Sequence, residues 1–522
     1  MNRPKNNLNK MYTWLKSIKS IFSFCLLYLF ISNLISAQSV LEERPNILFF
    51  ITDDQSWIHT SFAGEVAIST PGFDKIALEG IYFENAFCAA PSCSPSRGAI
   101  ITGQEIWRLG EAAQLFSAVP NELSKLSFPL LLENNGYYVG YTQKGWAPND
   151  FNVYEWEKYP LGQSYTEELI EPLTERIVNN NYFGNFKAFL DAKKSEDPFF
   201  FWCGTSEPHR AFKRGSGLTS GIDLDKIRVP GFLPDVLAIK QDISDYLLEI
   251  KWADQHLKKM LDLLETEGEL ENTIIIVTSD NGMAFPGAKA TLYEFGIHIP
   301  LAIRWGEGIK SAGRSSDALV SLTDLAPTIL EVAEVEIPLE MTGKSLIDVF
   351  LESVTKDRSY VFSGKERHTV CREGDLPYPQ RAVRDNHFLY IKNYEPDRWP
   401  AGSPTIKSSH GWEYGDIDLS PTFSYMKNNT HNAKVQNLFY FATAKRPFEE
   451  LFDIKNDPYC QKNLINDKLF KSDKVRLTLA LDNYLIKTKD PRAINKESKW
   501  DNYPYYFQNP KGIVPYHNSR NE

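Results

Sequence analysis

The 522-residue chain is predicted to fold as an α/β protein. It should have a mostly parallel sheet flanked by helices and a smaller C-terminal α+β subdomain built on an antiparallel sheet. Three observations carry this. Apolar runs of strand length alternate with helical patterns over the first two thirds of the chain, as βαβ units require. Four of those runs end in polar clusters, and open α/β sheets bind ligands at the carboxyl ends of their strands. Beyond residue 355 the runs become short and aromatic-rich, as in antiparallel strands.

Taken in order, Asn46 to Thr52 is a strand ending in Asp53-Asp54, and Tyr137 to Gln143 is a strand ending at Lys144. Phe199 to Ser206 follows Asp197-Pro198 and runs into Glu207-Pro208-His209. Ile274 to Ser279 is followed by Asp280-Asn281-Gly282. Between the last two, Ile243, Leu247, Ile250, Leu257, Leu261 and Leu264 form a helical stripe. Asp254 interrupts that stripe and reads as a buried acid with a backbone partner. A second helix is expected from Leu319 to Val332. A third should begin at Pro95, which suits the first helical position, with Ser94 as its cap. Phe388 to Lys392 is an antiparallel strand, and the segment after Asp490 is expected to wrap over the surface.

Of the residues, 42% are hydrophobic and 24% charged, enough for one large domain, residues 38–355, with a smaller one, residues 356–522. The N-terminus is basic, then apolar from Ile21 to Ile31, and closes on Ile35-Ser36-Ala37. That is the pattern of a cleaved secretory signal over residues 1–37, with a retained anchor as the alternative. Its removal takes away Arg3, Lys5, Lys10, Lys16 and Lys19 and moves the net charge from −10 to −15. Such an acidic body has no global attraction for nucleic acid, so an anionic substrate must be gripped locally. Cys88, Cys93, Cys203, Cys371 and Cys460 are too few for a disulfide framework.

Cys93-Ser94-Pro95-Ser96-Arg97, followed by Ile101-Thr102-Gly103, reads C-x-P-S-R with a trailing T-G. It resembles the signature of the type I sulfatases. The later segments Ser279-Asp280-Asn281-Gly282, Glu207-Pro208-His209, Lys289-x-x-x-Tyr293-Glu294-x-Gly296 and Glu450-Leu451-Phe452-Asp453 resemble that family in order and spacing. The resemblance implies an alkaline phosphatase-like fold and conversion of Cys93 to formylglycine by a formylglycine-generating or sulfatase-maturating enzyme. It also implies a divalent cation held by Asp53, Asp54, Asp280, Asn281 and the modified Cys93. Three carboxylates and an amide oxygen are hard ligands, suited to Ca²⁺, with Mg²⁺ as the alternative, and not to zinc. Cys93, Arg97, Lys144, His209 and Lys289 are then the catalytic set. Family members read G-K-W-H where this chain has Gln143-Lys144-Gly145-Trp146, so the histidine has no counterpart here.

The spacing around Pro286 to Tyr293 and Ser363 to His368, with Tyr378-Pro379-Gln380-Arg381, is similar to the branch of N-sulfoglucosamine sulfohydrolase and bacterial polysaccharide sulfatases. That branch implies a sulfated carbohydrate substrate, such as ulvan or a glycosaminoglycan, as O-sulfate or N-sulfate. It points to His368 and Arg381, with Glu366, Arg367 and Arg372, as substrate-binding residues. Trp399 and Trp412 are candidates for stacking on sugar faces. The alternatives are a formylglycine-dependent phosphodiesterase or phosphonate hydrolase, and a glycan-binding protein without activity. No nucleic acid partner and no permanent membrane anchor are expected.

Overall fold

The computed structural model describes residues 44–150, 152–194, 196–306, 308–352, 358–496, 499–509 and 512–515. The expected signal segment and the expected domain boundary near residue 355 both lie outside these described residues. The described residues from Asn46 onward make one compact unit. Among the described residues no helix is long and apolar enough to cross a membrane.

Eight strands form the main sheet: β1 (Asn46–Thr52), β2 (Ile81–Phe87), β3 (Tyr138–Gln143), β4 (Gln163–Ser164), β5 (Phe199–Gly204), β6 (Thr273–Ser279), β7 (Leu301–Arg304) and β8 (Arg314–Ser321). Their order is β4-β3-β5-β1-β6-β7-β2-β8. All neighbouring pairs are parallel except those made by β7, which runs against β6 and β2. The central strands are apolar on both faces because both faces are covered. In β1, Ile47, Phe49 and Ile51 enter one core cluster while Leu48 and Phe50 enter another. β5 divides the same way, with Phe200 and Trp202 on one side and Phe199, Phe201 and Cys203 on the other.

Helix α1 (Cys93–Thr102) packs Ala99, Ile100 and Ile101 into the first cluster. The long α2 (Leu237–Thr266) packs Ala253, Leu257, Met260, Leu261 and Leu264 into the other. Asp254 is buried on α2 and accepts hydrogen bonds from the backbone N–H groups of Gly72 (2.9 Å) and Phe73 (2.8 Å). Its carboxylate thereby caps the first turn of a second helix, Pro71–Glu79, and ties the two helices together.

Two expectations are corrected. Helix α1 begins at Cys93, two residues before Pro95, and the extended Ser92 is its cap residue in place of Ser94. The stretch Leu319 to Val332 is not one helix. Leu319, Val320 and Ser321 complete β8, paired with Asn85, Ala86 and Phe87 of β2. The helix α3 spans Leu325–Val332, after a 3₁₀ turn (Leu322–Asp324) capped reciprocally by Ser321 and Asp324. A three-residue apolar run fits either period, and strand pairing decided it.

A separate antiparallel sheet contains β9 (Val361–Lys365), β10 (Gln380–Arg384), β11 (Phe388–Asn393) and β12 (Glu449–Asp453), in the order β12-β11-β10-β9. The helix α4 (Lys471–Lys487) buries Leu477, Leu481 and Leu485.

Candidate active site

The adjacent strands β1 and β6 are in register from Asn46↔Thr273 to Thr52↔Ser279, so the residues following them meet at one edge of the sheet. One carboxylate oxygen from each of Asp53, Asp54 and Asp280 lies within 4.8 Å of the others, and all three residues are buried. Asp54 holds a left-handed backbone (φ 69°), and its amide donates to Asp280 Oδ1 at 3.1 Å. Asn281 Nδ2 donates to Asp54 Oδ1 at 2.7 Å. Asp53 Oδ1 and Asn281 Oδ1 are buried with no hydrogen-bond partner among the described residues. Orphaned acceptors in a buried site need an explanation. Two such oxygens beside clustered carboxylates fit a hard divalent cation.

Three cationic side chains surround the cluster. Arg97, one helical turn beyond Cys93 on α1, donates from Nε to Asp280 Oδ2 at 2.7 Å and from an NH group to the Lys144 carbonyl at 2.8 Å. Lys144, following β3, donates to Asp53 Oδ2. Lys289 donates to Asp54 Oδ2 at 2.6 Å. Burial pushes the Asp53 carboxyl up, but Lys144 and His209 outweigh it and hold the group below its ordinary value. Asp280 goes the other way: burial and then repulsion from Asp53 raise it despite Arg97. The contrast is what like charges sharing one site produce.

His209, after β5, places Nε2 3.9 Å from Asp54 Oδ2, while Nδ1 contacts the Arg210 carbonyl at 2.5 Å. A carbonyl only accepts, so Nδ1 carries a proton and Nε2 is the nitrogen turned to the cluster. Arg210 forks onto Asp242 through two 2.8 Å bonds. Trp146, which stands where a second histidine was sought, is fully buried under α1. A Cβ on Gly98 would meet its indole at 2.8 Å. It is a packing residue that seats the helix carrying Cys93.

A cavity of about 540 Å³ opens here, lined among others by Cys93, Lys144, His209, Arg210, Lys289, His368 and Trp412. These residues, from six separated stretches of chain, thus share one cavity. His368 Nδ1 lies 2.7 Å from the hydroxyl of Ser92, the residue before Cys93. Burial drops the His368 pKa to about 3, so it meets the cavity as a neutral ring.

The other four residues expected to bind substrate do not line this cavity. Arg381 is fully buried, donating to Asp490 Oδ2 (2.7 Å) and Glu366 Oε1 (2.8 Å), with its guanidinium near the rings of Trp107 and Trp500. Glu366 is satisfied further by Arg492 at 2.7 Å. Arg367 bonds the carbonyls of Tyr503 (2.9 Å) and Pro504 (2.8 Å). Arg372 bonds Asp416 (2.5 Å) and the carbonyls of Trp399 (2.6 Å) and Pro400 (2.8 Å). These side chains are bonded inside the protein: Arg372 ties down Asp416 beside the cavity wall, and the other three hold C-terminal residues that do not line it. Trp399 is likewise absent from the wall. Sequence reading overlooked Thr369, His410 and Asp418, which do line it and which no motif marks.

Comparison with known proteins follows the same lines. Residues 45–335 match the family model described as sulfatase. The chain belongs to the sulfatase family. Residues 287–399 match a second model, the C-terminal domain of N-sulphoglucosamine sulphohydrolase. The human N-sulphoglucosamine sulphohydrolase is 28% identical over 493 residues, spanning 86% of this chain and 91% of that protein. An ulvan-active sulfatase of Formosa agariphila is 25% identical over 464 residues, 85% of this chain and 80% of the relative. In fold, the sulfatase chain is similar to a protein solved in complex with its substrate D-glucosamine-2-N,6-O-disulfate, with a TM-score of 0.63 and 22% identity over 87% of this chain and 100% of the other. The phosphonate monoester hydrolase of Silicibacter pomeroyi shares the fold at 16% identity and a TM-score of 0.62, covering 90% and 99%. The protein is a sulfuric ester hydrolase with the alkaline phosphatase-like architecture.

Proposed function

We propose that this enzyme releases sulfate from a sulfated oligosaccharide or polysaccharide, using a formylglycine made from Cys93. The observation that carries this reading is the position of Cys93. It opens α1 and lines one cavity with Lys144, His209 and Lys289, whose lysines are bonded to the carboxylate cluster.

Cys93 Sγ stands where the hydrated aldehyde would carry two hydroxyls. One hydroxyl would attack sulfur as its proton passes to solvent, and the bond from sulfur to the sugar oxygen would break. The leaving oxygen takes a proton from His209 Nε2, a transfer worth about 10²–10⁴ in rate. The second hydroxyl would return a proton to His209 Nε2 as the aldehyde reforms and sulfate departs. A serine at this position would be left as a stable sulfate ester. Arg97 positions the carboxylate cluster and the Lys144 backbone, and Lys289 is close enough to Asp54 to reach a sulfate oxygen held beside it. Asp53, Asp54, Asp280 and Asn281, with the modified residue 93, would hold a divalent cation, Ca²⁺ by its ligand set, which supplies Lewis-acid polarisation of a sulfate oxygen.

Relatives named for ulvan and for N-sulphoglucosamine support a carbohydrate substrate. The basic and apolar N-terminal segment supports export, with residues 1–37 removed and maturation by a formylglycine-generating enzyme. The test is peptide mass spectrometry of active enzyme. The peptide containing residue 93 should be about 18 Da lighter than its cysteine form, off the ordinary cysteine oxidation ladder. Unmodified cysteine in active protein overturns the mechanism. Faster turnover of an aryl phosphodiester than of an aryl sulfate would move the reading to the phosphonate-hydrolase side of the fold.

A further inference from the structure

The charged side chains that line the cavity beside Cys93 suit an anion, with one exception. Lys144, Lys289 and Arg210 bring positive charge, and His209 and His368 bring imidazoles. Among the described residues that line it, Asp418 is the one carboxylate. A carboxylate facing a bound sulfate repels it, so this residue costs binding energy unless something else in the substrate answers it.

Its position is built, not incidental. Two residues earlier, Asp416 is locked by Lys365 (3.0 Å), by Arg372 (2.5 Å) and by the backbone N–H of Thr369 (3.0 Å). That anchor fixes the turn that presents Asp418. Asp418 Oδ2 lies 3.4 Å from Lys289 Nζ, and the same ammonium donates to Asp54 Oδ2 at 2.6 Å. One lysine head group therefore spans the carboxylate cluster and the cavity wall. Lys289 is shared between Asp54 and Asp418, so a single ammonium answers two carboxylates. Among the described residues no hydrogen-bond donor reaches the Asp418 carboxylate at bonding geometry, and its side chain is 26% exposed. Burial would raise its pKa, but Lys289, His209, His368 and Arg210 bring it down to about 2, so it is an anion throughout the working range.

An ionised carboxylate without donors, one ammonium away from the sulfate position, asks for donors from the ligand. We propose that Asp418 is a specificity residue, accepting a hydrogen bond from a hydroxyl or amine on the sugar carbon next to the one that bears the scissile sulfate. By the same charge it rejects a second sulfate or a carboxylate at that carbon. The sugar ring then lies against Phe116, His410 and Trp412, which line the same cavity. The His410 and Trp412 rings are 5.4 Å apart, and such aromatic faces suit the apolar face of a pyranose. The proposal rests on the sulfatase reading and deepens it. The substrate class becomes saccharides with an isolated sulfate flanked by a free hydroxyl or amine, in preference to vicinally disulfated ones.

The experiment uses full-length enzyme with conversion of Cys93 verified by mass spectrometry. Sulfate release is measured on hexose, hexosamine and deoxyhexose monosulfates, on the vicinal disulfate of each, and on 4-nitrophenyl sulfate. The wild type should favour the best monosulfate over its vicinal disulfate by tenfold or more in kcat/KM. Asp418→Asn removes the charge at constant shape and should collapse that ratio toward one. Asp418→Ala removes the acceptor and should lower kcat/KM on the monosulfate by about 10- to 150-fold, the size of a lost charge-assisted hydrogen bond. That loss should exceed any loss on 4-nitrophenyl sulfate by at least tenfold. Equal losses on both would make Asp418 a support for Lys289, and a wild-type preference for the vicinal disulfate would reverse the assignment; either overturns it. Converted wild type that releases sulfate from nothing would overturn the sulfatase reading itself, and this proposal with it.

Discussion

Replacing Arg381 with alanine should cost stability before it costs catalysis. The guanidinium is 0% exposed and is shared by Asp490 (2.7 Å) and Glu366 (2.8 Å). Glu366 keeps Arg492 at 2.7 Å after the substitution, so one carboxylate of the two remains compensated. Asp490 keeps only the backbone N–H of Arg492 at 2.9 Å among the bonds seen around it from this network. Breaking a buried ion pair from one side costs about 3–5 kcal/mol, and the lost packing beneath Trp107 and Trp500 adds to it. Partial compensation of Glu366 puts the expected loss at the lower end, about 3 kcal/mol. Urea unfolding followed by tryptophan fluorescence should therefore show a midpoint lowered with little change in slope. Arg381→Lys, which keeps the charge but not the fork, should recover part of the loss. At temperatures where Arg381→Ala remains folded, its saccharide and aryl sulfate activities should fall together. An unchanged unfolding midpoint with selective loss of saccharide turnover would show that the side chain reaches substrate, and the structural assignment would be refuted.

The remaining predictions concern the site and its pH dependence. Cys93→Ala should abolish sulfate release while far-UV circular dichroism and unfolding midpoint stay close to wild type, because among the described residues the side chain makes no hydrogen bond that holds α1. Asp53→Asn should lower bound calcium, read by elemental analysis, together with activity, since it weakens a three-carboxylate ligand set. Full activity after exhaustive chelation with no metal retained would remove the cation from the mechanism. His368→Ala should reduce kcat/KM on a saccharide sulfate about 3- to 10-fold more than on an aryl sulfate, the worth of a neutral hydrogen bond, because burial keeps that ring uncharged. Glu294 is buried; burial raises its pKa, but Arg384 (3.0 Å) and His298 (3.2 Å) bring it down to about 2 from 4.5. A depressed carboxylate stabilises the fold above its unfolded pKa. The stability gap between wild type and Glu294→Gln should thus be full, about 3 kcal/mol, above pH 4.5. It should shrink as the pH falls toward 2, and a gap that widens on acidification would contradict the assignment.

What the sequence determined by itself is the set of residues gathered at one edge of the main sheet. Strands β1, β5 and β6 are legible because a strand buried on both faces is mostly apolar, which makes the polar residues after it conspicuous, and the partly exposed β3 is marked by the lysine that follows it. Once those strands are parallel neighbours, Asp53, Lys144, His209 and Asp280 have to emerge on the same side. The antiparallel strand at Phe388 and the buried role of Asp254 are local consequences of the same patterning. Tertiary structure alone decided which charges remained free. Glu366, Arg367, Arg372 and Arg381 look like anion ligands in the sequence, but each meets its partner from a distant segment, at Asp490, Arg492, Tyr503 or Asp416, and is consumed there. Asp418 is the converse case. Nothing in Ile417-Asp418-Leu419 marks it, because its meaning comes from Lys289, which lies 129 positions earlier and reaches it at 3.4 Å. The start of α1 and the end of β8 were settled likewise by what they pack and pair against. Periodicity records which face of an element is buried, whereas the availability of a charge depends on the whole set of neighbours that folding brings to it.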